Sequence, residues 1–220
     1  MTKRILMLAL VCMVASGAAM AQLNIAGTDH DLSSNITAGP QQICVFCHTP
    51  HNANLEPGLA GNAPLWNHAI NSGQDYGFYT SPTMDATGAE ISSISSSDNS
   101  GLCMGCHDGT LARGALYNQP NNSGGEFDTS GISAITGSAN LGTDLSNDHP
   151  VNFAYADAVD TDTELATEVA VDGLGYLDGN GFVQCSSCHD PHTPGPDAPD
   201  LYFMNETVAG SQLCADCHLK

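Results

Sequence analysis

The stretch Cys44-Val-Phe-Cys47-His48-Thr-Pro-His51 decides how this chain is built. Two cysteines separated by two residues, with a histidine directly after the second, form the attachment sequence of a c-type haem. The two thiols can reach the two vinyl groups of one porphyrin, and the histidine then lies under the iron as its proximal ligand. The stretch therefore predicts a covalent haem ligated by His48.

The same five-residue pattern occurs three more times along the 220 residues. The further copies are Cys103-Met-Gly-Cys106-His107, Cys185-Ser-Ser-Cys188-His189 and Cys214-Ala-Asp-Cys217-His218. Zinc sites or disulfides could also use the cysteines, but neither requires a histidine after every second cysteine. We therefore expect four haem c groups, attached through these eight cysteines and ligated by His48, His107, His189 and His218.

The motifs alternate between two types, which indicates a duplicated unit. The first and third extend to Cys-x-x-Cys-His-x-Pro-His, ending at His51 and His192, whereas the second and fourth follow a leucine. A weaker repeat follows each extended motif, at residues 63–67 and 199–203. Such internal similarity predicts a first dihaem unit at residues 22–130 and a second at residues 131–220.

Five histidines outside the motifs are candidates for the second axial ligand. They are His30, His51, His68, His149 and His192. His51 and His192 lie too close to a proximal histidine to reach the opposite face of the same iron, so we expect each to serve a neighbouring haem. One more histidine precedes each extended motif, His30 and His149. His68 is then spare and could be a polar neighbour of a haem propionate, and Met204 offers an alternative ligand.

The first 21 residues have the features of an export signal. Lys3 and Arg4 precede an apolar stretch, and Ala19-Met-Ala21 fits a cleavage site. Without this segment the chain has no further apolar run long enough to span a membrane. Arg113 and Lys220 are then the only basic residues beside 24 acidic ones. Nucleic acid and anionic lipid are therefore not expected as partners.

Between the motifs the chain is rich in Gly, Ser, Asn and Pro, and it has one Trp, six Tyr and six Phe. This composition disfavours long regular elements and leaves little apolar material for a conventional core. We expect a fold with few secondary structures: a multihaem cytochrome c of mostly coil, with short helices and small hairpins around stacked haems. A hairpin is predicted at residues 175–183 and a short strand at residues 151–155.

Longer strings resemble a known group of proteins. They are CVFCHTPH at 44–51, APLWNH at 63–68, LCMGCHDGT at 102–110, NLGTDLSNDHPVNF at 140–153, CSSCHDPH at 185–192 and LCADCHLK at 213–220. These resemble the doubled C-x-x-C-H multihaem cytochromes of metal-reducing bacteria, and most of all their extracellular filament-forming tetrahaem members. The resemblance implies a homopolymer in which one distal histidine comes from the neighbouring subunit, with other multihaem cytochromes or extracellular metal oxides as electron acceptors.

The expected function is electron transfer rather than catalysis, at the outer cell surface or outside the cell after export through the periplasm. We expect bis-histidine haems of low potential, and His30, close to the mature N-terminus, as the ligand that crosses to the next subunit. A monomeric periplasmic electron carrier is the alternative. A multihaem reductase would need an iron with an open position and, for an oxyanion substrate, a basic pocket that Arg113 and Lys220 cannot form.

Overall fold

The computed structural model describes residues 24–38, 41–54, 65–84, 98–120, 127–199 and 203–219. The predicted signal peptide, residues 1–21, lies outside the described residues. The described helices are α1 (Asn99–His107), α2 (Tyr155–Val159), α3 (Glu168–Gly173), α4 (Cys185–Cys188) and α5 (Gln212–Ala215), and the strands are β1 (Gly77–Phe78), β2 (Asp144–Leu145), β3 (Phe153–Ala154) and β4 (Phe182–Val183). Short 3-10 turns occur at Leu32–Asn35, Cys44–Phe46, Gly137–Ala139 and Ala209–Ser211.

Coil dominates this architecture, which confirms the predicted fold class. The longest helix, α1, has nine residues and ends where Gly109 adopts φ +70°, a conformation that glycine accepts without strain. Elements this short cannot be stable alone, so the structure depends on packing between segments. Over the described ranges, no helix is long and apolar enough to cross a membrane.

Two pairs of strands tie distant segments together. Strand β1 pairs in parallel with β2, and β3 pairs antiparallel with β4. The predicted hairpin at residues 175–183 is present as an antiparallel bridge between Leu177 and Val183, closed by a hydrogen bond from Gly181 N–H to Asp178 O (2.9 Å). The predicted strand at residues 151–155 is shorter than expected, because helix α2 already begins at Tyr155.

The buried apolar residues form three small clusters instead of one core. The largest includes Phe153, Val171 and Leu213, and a second contains Val45 and Phe46 of the first motif. The leucine that precedes each of the two shorter motifs, Leu102 or Leu213, is 9% exposed. The first, second and fourth motifs are therefore anchored by an apolar residue beside or within them.

The two extended motifs share a local structure, which supports a duplication. His48 forms an isolated antiparallel bridge with Trp66, and His189 forms one with Met204. The next residue in each copy repeats the same bond, from Asn67 N–H to Cys47 O and from Asn205 N–H to Cys188 O, both 2.9 Å. Trp66 thus corresponds to Met204, two residues away from the alignment that the sequence suggested. The structural alignment follows the residue whose backbone pairs with the motif histidine, which is Trp66 in the first copy and Met204 in the second.

Several contacts join the two predicted dihaem units. Strand β1 of the first unit pairs with β2 of the second, and helix α1 packs against α4. The boundary between residues 130 and 131 stays a prediction. The contacts that cross it bring the second and third motifs together.

Candidate haem centres

Each haem motif lies on a short helical turn that directs its two thiols to one side. Residues three apart lie on the same face of a helical turn, which suits two cysteines with two residues between them. The turn is closed by a backbone hydrogen bond from the motif histidine to the first cysteine, as between His48 N and Cys44 O (2.8 Å) and between His218 N and Cys214 O (2.8 Å). None of the eight motif cysteines, all of which lie in the described ranges, forms a disulfide.

A buried polar network fixes the second motif against the third. The Ser100 hydroxyl donates to Gln184 Oε1 (2.5 Å) and accepts from Cys185 N–H (3.0 Å). Gln184 Nε2 donates to Asn152 Oδ1 (3.0 Å) and Asp178 Oδ2 (3.1 Å). Ser100 is 0% exposed and Gln184 is 2% exposed, and the bonds from Ser100 to Gln184 and from Gln184 to Asn152 are buried away from water. The network holds the N-terminus of α1 against that of α4.

The same packing brings together two thiols from different motifs. The thiols of Cys103 and Cys185 interact, which raises the pKa of Cys103 and lowers that of Cys185. These sulfurs are predicted to become thioethers of two different porphyrins. Haems attached to these two motifs would therefore have their attachment edges side by side.

The distance between two imidazoles that share an iron follows from simple geometry. A metal–histidine nitrogen bond is about 2.0 Å long, and the ring centre lies about 1.15 Å beyond the nitrogen, so two ligands on opposite faces have centres about 6.3 Å apart. Histidine pairs at this spacing thus fit a bis-histidine haem.

Three pairs of histidines have this spacing. The ring centres of His48 and His192 are 6.1 Å apart, those of His107 and His30 are 6.1 Å apart, and those of His218 and His149 are 6.4 Å apart. Each pair joins one motif histidine to one histidine outside the motifs. The residues present therefore fit haem, with cysteines for attachment and an imidazole for each face of the iron.

In three of the six paired rings the second nitrogen has the partner expected around a metal site. A ligating histidine usually donates its other ring N–H to a carbonyl or carboxylate, which fixes the tautomer. Nδ1 of His107 lies 2.8 Å from Ala139 O, Nδ1 of His149 lies 2.8 Å from Pro150 O, and Nδ1 of His192 lies 3.2 Å from Asp190 Oδ1. The Nε2 of each ring is the nitrogen left for iron.

His30 lies in a more enclosed place than the sequence suggested. Its ring stacks on Phe203 with centres 4.2 Å apart, and the carbonyl of Pro191 accepts a hydrogen bond from it. Burial, followed by the neighbouring His107, lowers the pKa of His30. The neutral imidazole, which is the form that ligates metal, is thereby favoured. The expected crossing of His30 to another subunit differs from this arrangement, because Phe203 and His107 surround the ring within its own chain.

His68 differs from the paired histidines. It is 1% exposed, with Nδ1 2.5 Å from Ala69 O and Nε2 3.1 Å from Ala112 O. Both nitrogens lie against backbone carbonyls, so neither faces a site for iron. This geometry favours the structural alternative raised for His68, although its ring lies beside the Cys106 sulfur, at 3.4 Å.

One motif histidine and one other histidine remain outside the three pairs. Among the histidine ring pairs of the described residues, neither His189 nor His51 has a partner at ligand spacing. His51 is exposed, and its backbone carbonyl accepts hydrogen bonds from Thr49 Oγ1 (2.8 Å) and Asn118 Nδ2 (2.9 Å). Met204, the other ligand considered, is 7% exposed within the largest apolar cluster.

The sequence alone did not reveal how the ligands pair across the repeat. The sequence predicts only that His192 serves a neighbouring haem, whereas the structure places it beside His48 of the first predicted unit. The Ser100–Gln184 network was also missed, although Gln184 directly precedes the third motif. The assignment of every distal ligand stays a prediction that these distances support.

Comparison with known proteins gives one family match. No curated protein matches the chain. Residues 180–220, which hold the third and fourth motifs, match the family model described as doubled CXXCH motif. The same type of motif pair occurs at Cys44–His48 and Cys103–His107. The match and the paired imidazoles support a multihaem c-type cytochrome that binds haem c covalently and transfers electrons.

Proposed function

We propose that this chain is a tetrahaem cytochrome that carries electrons through a polymer of its own subunits to acceptors outside the cell. Bound haem supplies the ferric–ferrous couple. The protein's residues attach the cofactors, complete their axial ligation and hold them close together. The observation that carries the proposal is the spacing of 6.1–6.4 Å in three pairs of imidazoles, which suits bis-histidine iron and leaves no open position for a substrate at those three irons.

The Ser100–Gln184 network supports a continuous path for electrons. Transfer between cofactors needs short distances, and buried hydrogen bonds maintain the contact between α1 and α4. His192 supports it as well, because one loop of the third motif supplies both the Cys185–Cys188 attachment site and the distal ligand beside His48. Neighbouring haems are thus fixed by shared segments of chain.

The two histidines outside the pairs support assembly through a shared iron. Each chain has one proximal ligand, His189, and one exposed imidazole, His51, that remain outside the described pairs. If His51 of one subunit completes the haem at His189 of the next, every iron has two imidazoles. Such a head-to-tail contact uses two different surfaces and therefore generates an open filament when its rotation does not close into a ring.

The surface around His51 suits contact with a second copy of the chain. Leu65 is 55% exposed and Tyr117 is 54% exposed, and both adjoin the loop that carries His51: Thr49 N–H donates to Leu65 O (2.9 Å), and Asn118, next to Tyr117, donates to His51 O. Burial of these two side chains favours association. A coordinate bond would add strength against the repulsion between acidic subunits.

Export, location and acceptor belong to this proposal. The acidic composition and the N-terminal pattern favour an exported protein at the outer surface, and low-potential bis-histidine haems suit transfer to other multihaem cytochromes or to metal oxides. A reductase is the second candidate. The observation that favours it is the position of His189 outside the three pairs, which would leave one haem open to a small substrate in a monomer.

A comparison of two histidine variants tests the proposal. His51→Ala should abolish filaments in electron micrographs and convert one haem in four to high spin. Added imidazole should restore low spin without restoring filaments. His149→Ala is the matched control, because it should also open one iron but should keep the filaments. Filaments with all haems low spin in His51→Ala would contradict the cross-subunit ligand.

The intact protein separates the remaining alternatives. A monomer at high concentration with all haems low spin would favour the periplasmic carrier. A monomer in which one ferrous haem binds carbon monoxide would favour the reductase, since carbon monoxide needs an open axial position.

A further inference from the structure

The indole nitrogen of Trp66 lacks a hydrogen-bond partner. In the described part of the chain, it is the single buried side-chain nitrogen or oxygen without one. An unpaired buried donor costs about 1–3 kcal/mol, so such groups are rare in folded proteins. The indole N–H can only donate, which means that the missing partner is an acceptor.

Trp66 lies beside the first haem motif. Its backbone pairs with that of His48, and the two ring centres are 6.1 Å apart with planes at 88°. His48 is the predicted proximal ligand of the first haem. The cofactor nearest to the unpaired N–H is therefore the haem that His48 would ligate, and this haem brings two carboxylate groups, its propionates.

The charge of the chain makes a neutral donor valuable at this place. Arg113 is the one basic residue in the described ranges, and its Nε donates to Ser133 O at 3.1 Å. Lys220 lies outside these ranges. Carboxylates close to a protein interior need hydrogen bonds or opposite charge. With 24 acidic residues and so few basic ones, propionates must be stabilised mainly by neutral N–H and O–H groups.

We infer that the indole N–H of Trp66 donates a hydrogen bond to a propionate carboxylate of the haem held by His48. The inference rests on the proposed haem at the first motif. The hydrogen bond draws negative charge away from the iron and so favours the ferrous state. Met204 occupies the corresponding position beside His189 and has no donor. The effect is therefore confined to one of the two extended motifs.

A replacement of one group in the side chain tests this inference. Trp66 is the only tryptophan in the sequence, so growth of a tryptophan auxotroph with β-(3-benzothienyl)alanine replaces its N–H by sulfur and changes nothing else in the chain. Ring size and packing are preserved. Trp66→Phe removes both the N–H and part of the ring. Its comparison with the benzothienyl protein separates the loss of packing from the loss of the donor.

Three measurements on the intact holoprotein follow. Ultraviolet resonance Raman of wild-type protein should show the indole N–H mode at the position of a hydrogen-bonded donor. Visible resonance Raman should show a shifted propionate bending mode in the benzothienyl protein. Potentiometry above pH 8, with propionates ionised, should show one haem at lower potential and the others unchanged.

The outcomes separate this inference from the proposed function. An indole mode typical of an unbonded N–H, or identical propionate modes and potentials in the benzothienyl protein, overturns the propionate contact. A hydrogen-bonded indole whose loss leaves the propionate modes unchanged also overturns it, since the acceptor is then another group. Intact mass reports independently whether the first motif carries haem. A missing haem there would contradict the proposed function as well.

Discussion

The angle between the two imidazole planes at each iron leads to a specific spectroscopic prediction. The rings of His48 and His192 are nearly parallel, at 13°, whereas the other two pairs are at 67° and 73°. Parallel planes split the two iron d orbitals that interact with the imidazoles and give ferric low-spin iron a rhombic EPR spectrum. Nearly perpendicular planes leave these orbitals close in energy and give one very large g value. The angle between the two axial imidazoles therefore distinguishes the haems by their EPR g values.

Replacement of His192 by alanine should remove one specific signal. The fully ferric variant should lose rhombic low-spin intensity equal to one haem and gain high-spin intensity of the same size, about a quarter of the iron if all four motifs are loaded. The large-g intensity should stay constant. Low-temperature EPR with spin quantitation measures all three, and intact mass verifies that haem attachment is unchanged.

Two results would refute this reasoning. Loss of large-g intensity in His192→Ala would show that His192 ligates a different iron. Unchanged low-spin intensity would show that it ligates none. His30→Ala is the matched variant, because it should remove one large-g signal and leave the rhombic one.

Three further changes test the supporting structure. Ser100→Ala should destabilise the holoprotein by about 1–3 kcal/mol in denaturant unfolding, because the Cys185 N–H loses its acceptor and Gln184 Oε1 keeps only the longer bond from the backbone N–H of residue 100 (3.3 Å). A change below about 0.5 kcal/mol would mean that the network does not hold the helices. His68→Ala should cost about 2–4 kcal/mol through lost packing and hydrogen bonds without opening an iron, and a new high-spin signal would make His68 a ligand. Hydrogen bonds from Ser130 and then Thr37 hold the pKa of Asp128 below its ordinary value. Its stabilisation is thus present above the unfolded pKa of about 4 and is lost as pH falls through the lower folded pKa. Asp128→Asn should accordingly lower the free energy of unfolding at pH 7 and leave it unchanged in strong acid.

The haem attachment sites could be predicted from the sequence because their chemistry is local. Two residues between the cysteines and an adjacent histidine are sufficient to bind one porphyrin, whatever the rest of the fold does. The same locality explains why short turns around Cys44 and Cys185 were expected. Composition predicted the scarcity of regular elements for a similar reason, since Gly, Ser, Asn and Pro act on their own neighbourhood.

The distal ligands depend on tertiary structure and could be predicted only in part. Sequence spacing predicts that His192 does not serve its own motif, but it does not indicate that His48, far away in the chain, is the motif histidine beside it. The sequence alone does not distinguish His68 from His51 as a candidate ligand. Backbone carbonyls of Ala69 and Ala112 surround the first, and exposure distinguishes the second. Proximity to the N-terminus suggested a free His30, whereas stacking on Phe203 holds it in its own chain.

A comparison of the axial ligands in filaments with those in separated subunits tests most directly the claim that subunits share an iron. Near-infrared magnetic circular dichroism of the ferric protein distinguishes bis-imidazole, imidazole–methionine and high-spin haem by their charge-transfer bands. We predict four bis-imidazole haems per subunit in filaments, and three bis-imidazole haems with one high-spin haem in separated subunits that still carry all four cofactors. Separated subunits with four bis-imidazole haems, or filaments with a methionine-ligated or high-spin haem, would contradict the account.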